Sequence, residues 1–438
     1  MTTNIITRFP PSPTGFLHLG RARTALFNYL FAKKNGGKLI FRFEDTDRAR
    51  SKIEFEEVMK DSLNWMGIKW DNEKIERQTE RLDIYKSYLK KLVDSDKAYI
   101  SKETIEEGEK KGQVNEVVRF RNPNTKITFT DLIRGDITID TTDLEDFIIA
   151  RNINEPLYHL AVVIDDFEMG VTHIIRGDDG ISNTPRQILI QQAIGAPKPI
   201  YAHLPLILAP DRSKLSGRHG AVSVTEYRDR GYLNEALVNY LALLGWNPGT
   251  EQEIFSMDEL IQAFDISKVN KAGAIFSEEK LNWFNKQYIL KMSIEEFVSK
   301  ASSYISKDIS PKLLPLIKEK ISHFGEIKNV LDTELSFINP LQSYPKENLK
   351  WKQEVDLVNT KEYLNTVIDI LEKVDDFSLD SVKSAIWPLA ESKGKGNVLW
   401  PMRYALSGKE KSPDPFTISS ILGKEETLKR LKFAYESL

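Results

Sequence analysis

A histidine and a glycine two residues apart, His18 and Gly20, follow a short apolar strand (Ile5, Ile6, Phe9) and a Pro/Gly-locked turn, PPSPTGF. Placed where a strand gives way to a helix N-terminus, such a pair can handle a phosphate. The imidazole can donate to a phosphoryl oxygen as charge builds there, and the glycine leaves bare backbone against which an adenine can lie. Far along the chain, Asp211 to Gly220 reads DRSKLSGRHG, with Lys214 and Arg218 set among small residues. Mobile cations suit a loop that closes over a triphosphate and stabilises departing pyrophosphate. Each signal is weak alone, because His-x-Gly recurs by chance and a basic loop is commonly just solvated. Together they require a fold that brings both segments to one nucleotide.

The intervening pattern supplies such a fold. Apolar residues at 22, 25, 26, 29 and 30 predict a helix over Arg21–Asn35, ended by Gly36-Gly37, and KLIFRF (Lys38–Phe43) returns as a buried strand. The right-handed crossover of this βαβ unit brings both strand C-termini to one edge, so Arg8 and Glu44 should share a crevice. Helices are predicted near 54–66 and 79–94. From Ala98 to about Pro156, a charged helix (Lys102–Lys111) and short β-like runs predict a small insert splitting a parallel sheet. The sheet is expected to resume with YHLAVVIDDFEMG, HIIRGDD, a helix from Pro185 to Ile194, and PIYAHLPLIL. Helices then dominate, and beyond 293 the segments are amphipathic and strand-free, with a Pro/Lys-rich connector at Pro340–Lys352.

Composition bounds the class. At 438 residues and 50.2 kDa, two to four domains are expected. An apolar share of 41% against 29% charged fits a soluble globular protein, and no run of 18 apolar residues exists to span a membrane. MTTNIITRF lacks a basic-then-apolar leader, so a cytoplasmic location is the expectation. Zero cysteines exclude disulfides and thiolate metal sites. A net charge of −3 argues against nonspecific coating of nucleic acid. The six histidines form no metal pattern. His159 and His203 read as hydrogen-bonded core residues in apolar strands. Asp165-Asp166 and Asp178-Asp179 read as caps of strands and turns.

The strings RFPPSPTGFLHLGR, FEDTDRAR, YHLAVVIDDFEMG, HIIRGDD with SNTPRQ, KLSGR and WPMRYALSGKEKSPDPF follow one another in this chain. Their order resembles that of class I aminoacyl-tRNA synthetases, in the form used by bacterial glutamyl-tRNA synthetases. The likeness is close over residues 1–293 and looser beyond. It implies an α/β protein with a split Rossmann-like parallel-sheet catalytic domain (1–95 and 158–210). A small α+β insert at 96–157 would touch the tRNA acceptor end. A signature-loop and stem-contact region (211–293) and an all-α C-terminal anticodon-binding region (294–438) would follow. The implied reaction is ATP-dependent conversion of L-glutamate to glutamyl-adenylate, then transfer to the 3' end of tRNA(Glu), with Mg²⁺ bridging phosphates and tRNA bound before adenylation. A monomer is implied as well.

Carried over residue by residue, Arg8, Ser12, Glu44, Tyr158 and Arg176 line the amino-acid site. Pro11, Thr14, His18, Gly20, Lys214 and Ser216 hold ATP, while His18, Lys214 and Arg218 serve catalysis. Charge chemistry agrees, since glutamate needs arginine for its carboxylates and an acid for its ammonium. Whether tRNA(Gln) is a second acceptor depends on side chains around Lys318–His323 and stays open. Between Lys393 and Lys411, five cations face one acid, as a tRNA contact or a solvated face would have.

This chain departs from the family at several points. Gly217 replaces the second lysine of the second signature, with Arg218 adjacent to supply the charge. Gly177-Asp178-Asp179-Gly180 stands for Gly-Glu-Asp-His, and Val162 for an asparagine found in some members. Ala98–Ser101 lacks the cysteines of zinc-bearing members, so no zinc is expected. Two alternatives follow. One is a synthetase-like tRNA-binding protein without adenylation activity, motivated by Gly217. The other is a glutaminyl-tRNA synthetase, which normally carries acid and asparagine where Ser12 and Thr14 stand, and a β-rich anticodon region. A truncated relative that modifies a tRNA base lacks an anticodon domain, for which residues 294–438 are available here.

Overall fold

The computed structural model describes residues 4–104, 114–217, 220, 222–305, 309–341, 343–351 and 357–438, which form two compact units, Met1–Tyr288 and Ile289–Leu438. In the first unit, β1 (Ile6–Phe9) pairs in parallel with β2 (Lys38–Phe43), Arg8 opposite Ile40 and Phe9 opposite Phe41. Between them runs α1 (Leu19–Lys34), whose Ala22, Ala25, Leu26, Tyr29 and Leu30 are buried along the expected stripe. Gly36 closes the helix at φ +65°. Helix α2 (Ile53–Trp65), strand β3 (Glu76–Arg77, parallel to β2) and helix α3 (Leu82–Asp94) follow.

The next segment divides between two sheets. Strands β4 (Ala98–Thr104), β5 (Val114–Phe120), β8 (Phe147–Asn152) and β9 (Glu155–Pro156) make an antiparallel sheet. The hairpin of β6 (Lys126–Asp131) and β7 (Gly135–Asp140) instead joins the parallel pair β10 (His173–Gly177) and β11 (Ile200–Leu204), Asp131 standing opposite Tyr201. Thr172, just before β10, donates its backbone N–H to the Ile6 carbonyl at 2.9 Å, tying this sheet to β1. Of the charged helix expected over Lys102–Lys111, residues 102–104 end β4 as strand, and the remainder lies outside the described residues.

The expectation of a strand for YHLAVVIDDFEMG is corrected: Tyr158–Glu168 is a helix, α4. Leu160 to Asp166 are all buried. A helix covered on every side shows no apolar stripe, and its sequence then reads like a buried strand. His159 consequently sits on a helix, and its Nδ1 is buried with no hydrogen-bond partner. His203 is in a strand, β11, as expected. Helix α5 is Thr184–Ile194; the short parallel pair β12 (Ile207–Leu208) and β13 (Ala274–Ile275) brackets α6 (Val224–Asp229), α7 (Asn234–Leu243) and α8 (Met257–Ala263), and α9 (Glu278–Lys291) follows. One apolar core packs α1 and the β1–β2 pair against α7 and α8; a second lies among α3, α4, α5 and the strands around them.

The second unit is helical, with α10 (Ile294–Lys300), α11 (Leu314–Lys320), α12 (Ile327–Asp332), α13 (Val358–Glu372), α14 (Leu379–Lys393), α15 (Lys395–Ser407) and α16 (Pro415–Ser437). Among the described residues it contains no strand, and in neither unit is a helix long and apolar enough to cross a membrane. Arg430 ties this unit internally, donating to the carbonyls of Phe337, Asn339 and Leu406.

Gly37 shows how tightly the βαβ turn is drawn. A Cβ there would lie 2.3 Å from the Ile5 carbonyl oxygen, a backbone atom that cannot swing aside. Gly37→Ala should therefore lower the stability of the first unit by about 2 kcal/mol. Gly36→Ala meets open space and only a positive φ, and should cost about 1 kcal/mol. Denaturant midpoints of the two variants, followed by tryptophan fluorescence, check the order.

Candidate active site

A cleft of about 680 Å³ opens at the C-terminal ends of β1, β2 and β10. Arg8, Pro11, Ser12, Thr14, His18, Gly20, Glu44, Tyr158, Arg176, Lys214 and Ser216 all line it, as do Val162, Gly180 and Gly217. Arg218 and His219 lie outside the described residues.

Two backbone stitches bring the early turn and the late loop together. Leu19 donates its N–H to the Val222 carbonyl at 2.8 Å, and Val224 donates to the Leu17 carbonyl at 3.0 Å. His18 and Ser223 thereby form an isolated antiparallel bridge immediately beyond the cationic loop. At the other end of that loop, Leu215 donates to the Ile207 carbonyl at 3.1 Å. The turn itself hangs from the end of β2, where Glu44 donates its N–H to the Pro11 carbonyl at 3.0 Å. His18 occupies the N-cap position of α1, with its side chain exposed and free of capping bonds. Burial of part of the ring, reinforced by Arg21, holds its pKa below 6.5, so at neutral pH the imidazole is uncharged. A Cβ at Gly20 would meet no protein atom within 4 Å. No packing contact therefore requires glycine at this position, which faces the cleft.

The floor of the cleft is a buried charge network. Asp166 on α4 receives Arg8 Nε at 3.3 Å and Arg42 Nη1 at 2.6 Å. Arg42 also donates through Nη2 to Glu44 Oε1 at 3.1 Å and stands 3.7 Å from Asp165. Asp165 accepts from Gln78 at 2.9 Å, Arg81 at 2.8 Å and the Tyr85 hydroxyl at 2.9 Å. The expectation that Asp165-Asp166 cap strands or turns is corrected: both sit inside a helix, as counter-charges to arginines. Burial would depress Arg42's pKa, but Asp166, Asp165 and Glu44 outweigh it and raise the value. Burial likewise works against Asp166, yet Arg42 and Arg8 hold its carboxyl below the ordinary 3.8. Glu44 goes the other way, since burial pushes it up despite Arg42.

Arg176 differs from these. It is buried at the end of β10 and donates to His203 Nε2 (3.1 Å), Gln187 Oε1 (2.7 Å), the Gly180 carbonyl (3.0 Å) and Thr184 Oγ1 (2.7 Å). Among the described residues none of these acceptors is a carboxylate, and burial lowers its pKa. A guanidinium so placed favours an anionic ligand. Arg23, also on the cleft wall, is similar: it donates to the carbonyls of Leu244 and Pro205, and burial lowers it to about 10 despite Asp178. Tyr158 presents its ring to the cleft at 40% exposure rather than lying in the core. Asp178 pairs with Arg134 at 3.1 Å.

Sequence reasoning missed Arg42, Arg23, Asp131 and His203 as contributors. The available signal was a charge inside an apolar run, Arg42 in KLIFRF and Asp165-Asp166 in AVVIDDF, which buried surroundings permit only in pairs. Among the described residues no group of three or more His, Cys, Asp or Glu side chains is arranged to hold a metal ion.

A histidine-bearing turn and a cationic loop meet over the C-terminal edge of a parallel sheet, a crevice suited to a ligand and the arrangement expected of a class I aminoacyl-tRNA synthetase. Comparison with known proteins agrees. A family model described as "tRNA synthetases class I (E and Q), catalytic domain" matches residues 4–116 and 100–283, and one described as "Anticodon binding domain" matches 277–435. The chain is 40% identical to a glutamate--tRNA ligase of Aquifex aeolicus over 100% of both chains. It is 40% identical to glutamate--tRNA ligase 1 of Caldicellulosiruptor saccharolyticus over 98% of each. A crystal structure of a glutamate tRNA ligase from Elizabethkingia meningosepticum in complex with its amino acid superposes with a TM-score of 0.88 at 34% identity, covering 100% of both chains. The chain belongs to the glutamate--tRNA ligase family. Neither the glutaminyl alternative nor the noncatalytic one is favoured by these relatives.

Asp166 carries the testable consequence. Its depressed pKa contributes stability that is complete above the ordinary 3.8 and is lost as pH falls through its folded value, whereas the raised value of Glu44 contributes with opposite sign. Asp166→Asn should cost about 3 kcal/mol at pH 7 by stranding Arg8. It should also flatten the acid limb of the stability profile below about pH 4. Urea unfolding from pH 7 to pH 3 measures both.

Proposed function

We propose that the cleft activates L-glutamate with ATP and passes the glutamyl group to the 3' end of tRNA(Glu). The supporting observation is the backbone pairing of Leu17–Leu19 with Val222–Val224, which sets His18 and the Lys214–Gly217 loop over the same cleft as Arg8, Glu44 and Arg176. Arg176, buried among neutral acceptors, would take the side-chain carboxylate. Arg8 and Glu44 would place the α-carboxylate and ammonium, with Ser12 and Tyr158 closing the amino-acid site. The purine would lie along Gly20, with Pro11, Thr14 and Ser216 completing the nucleotide contacts.

An α-carboxylate oxygen attacks the α-phosphorus of ATP and the bond to the bridging oxygen breaks, releasing pyrophosphate. His18, neutral at pH 7, donates a hydrogen bond where negative charge develops, and Lys214 and Arg218 neutralise the leaving group. The cleft's described carboxylates, Glu44 and Asp179, form no group able to hold a metal. Mg²⁺ would be carried by the phosphates of ATP and would neutralise charge there. The terminal ribose hydroxyl of tRNA then attacks the adenylate carbonyl, the bond from that carbonyl to the phosphate oxygen breaks, AMP leaves, and the hydroxyl proton passes to the departing phosphate. Residues 96–157 would meet the acceptor end, 211–293 the stem and 294–438 the anticodon. A cytoplasmic monomer, with tRNA(Gln) as an open second acceptor to be tested by charging transcripts of both tRNAs, accompanies this reading.

His18→Ala should reduce tRNA-dependent pyrophosphate exchange about 100-fold while leaving tRNA affinity within about twofold. Equal loss of both would make His18 scaffolding, and absence of exchange in the unaltered protein would favour a binding module. A Cβ at position 217 would meet nothing within 4 Å, so a longer side chain fits there. Arg218→Ala should cost about 100-fold in exchange. Adding Gly217→Lys should recover most of that loss, which rate measurements on single and double variants resolve.

A further inference from the structure

Arg176 is held from below by a chain of groups that never reach the cleft surface. Its Nε–H donates to His203 Nε2 at 3.1 Å, so the ring proton lies on Nδ1, which donates to Asp131 Oδ2 at 2.7 Å. Asp131 cannot turn away. Its Oδ2 also accepts the His203 backbone N–H at 2.9 Å, and its Oδ1 accepts those of Ile133 and Arg134, each at 2.9 Å. Asp131 and His203 are buried, at 2% and 0% exposure. From the other side Gly180 closes the seat. A Cβ at 180 would stand 2.5 Å from Arg176 Nε, 2.8 Å from Cδ and 3.1 Å from Cζ. The guanidinium is the flexible end of its side chain, but four acceptors hold it where a methyl group would have to go.

We propose that Asp131, His203 and Gly180 are positioning residues that set Arg176 for the carboxylate of the amino-acid substrate. The reason is geometric: four of the five guanidinium N–H groups are already bonded within the protein, so one N–H of Nη1 is left for a carboxylate, and its aim is fixed only if the guanidinium plane is held to within a few tenths of an ångström and about 10–20°. Nε–H is the group whose partner sets that plane, and His203, itself oriented by Asp131, is that partner. Gly180 leaves the volume the guanidinium occupies, and a side chain in the GDDG segment at this position would displace it. The hairpin β6–β7 thus supports the amino-acid site through Asp131, although it shares no strand with β1 or β2.

This inference rests on Arg176 binding the glutamate carboxylate, and the test separates the two. In tRNA-dependent pyrophosphate exchange with the full chain, Arg176→Ala should raise KM for L-glutamate at least tenfold; no change would overturn the underlying reading. His203→Leu and Gly180→Ala should each raise KM for glutamate about tenfold, with KM for ATP within about twofold and kcat within about threefold. His203→Gln places an amide oxygen near the position of Nε2 and should recover most of that loss. Should Arg176→Ala raise KM while Gly180→Ala and His203→Leu leave it within twofold, or should all parameters fall together without rescue by glutamine, the positioning role fails. Gly180 is only half-buried and leaves the His203–Asp131 pair intact. It therefore carries the test even if His203→Leu does not fold.

Discussion

Two arginines on neighbouring parallel strands, Arg8 and Arg42, point into the protein rather than out of it, and Asp166 is the group that lets them do so. Unpaired, either cation would cost several kcal/mol to bury. With one carboxylate shared between them, and Glu44 and Asp165 on the flanks of Arg42, the charges offset one another in the buried floor of the cleft. The requirement is structural as well as electrostatic. Asp165 and Asp166 are adjacent on α4, so they leave the helix about 100° apart. Asp166 serves the strands, and Asp165 serves Gln78, Arg81 and Tyr85 around α3. One helix thereby locks the β1–β2 half of the sheet to the layer behind it, and its first residue, Tyr158, is delivered to the cleft wall.

The side of the cleft around His18 depends on weaker contacts. Hydrogen bonds from Leu19 to Val222 and from Val224 to Leu17 join segments that lie far apart in sequence. Each such bond contributes about 1 kcal/mol. They hold both ends of the junction while the stretch between Lys214 and Val222 keeps its small, cationic composition. Anchoring on both sides, through Leu215 to Ile207 and through Val222 to Leu19, fixes where this cationic segment leaves and rejoins the fold.

The amino-acid side follows a different logic. Arg8 and Arg42 each have a carboxylate hydrogen-bond partner, whereas among the described residues the acceptors of Arg176 are all neutral. In the proposed reading, a carboxylate placed there would gain a charge-assisted hydrogen bond that a neutral amide would not. Preference for an acid over its amide can thus come from one cation whose partners were chosen without charge.

Chemistry-bearing residues were legible wherever they sat in an ordered local motif. The turn Pro10–Gly20, the α1 stripe, the strand Lys38–Phe43 and the cationic loop each carry their meaning within a few neighbours, and the βαβ handedness rule places Arg8 and Glu44 together. Where burial on all sides removed periodicity, the reading failed, as for α4 and its two aspartates. The seat of Arg176 was illegible for a different reason. His203, Asp131 and Gly180 come from three separate strands and turns, and nothing in their local sequence says that they meet. The amino-acid sequence by itself determined the kind of chemistry, through residue types at short spacings. Only the tertiary structure decided which buried charges are balanced and which await a ligand, because that balance is a property of distances between elements remote along the chain.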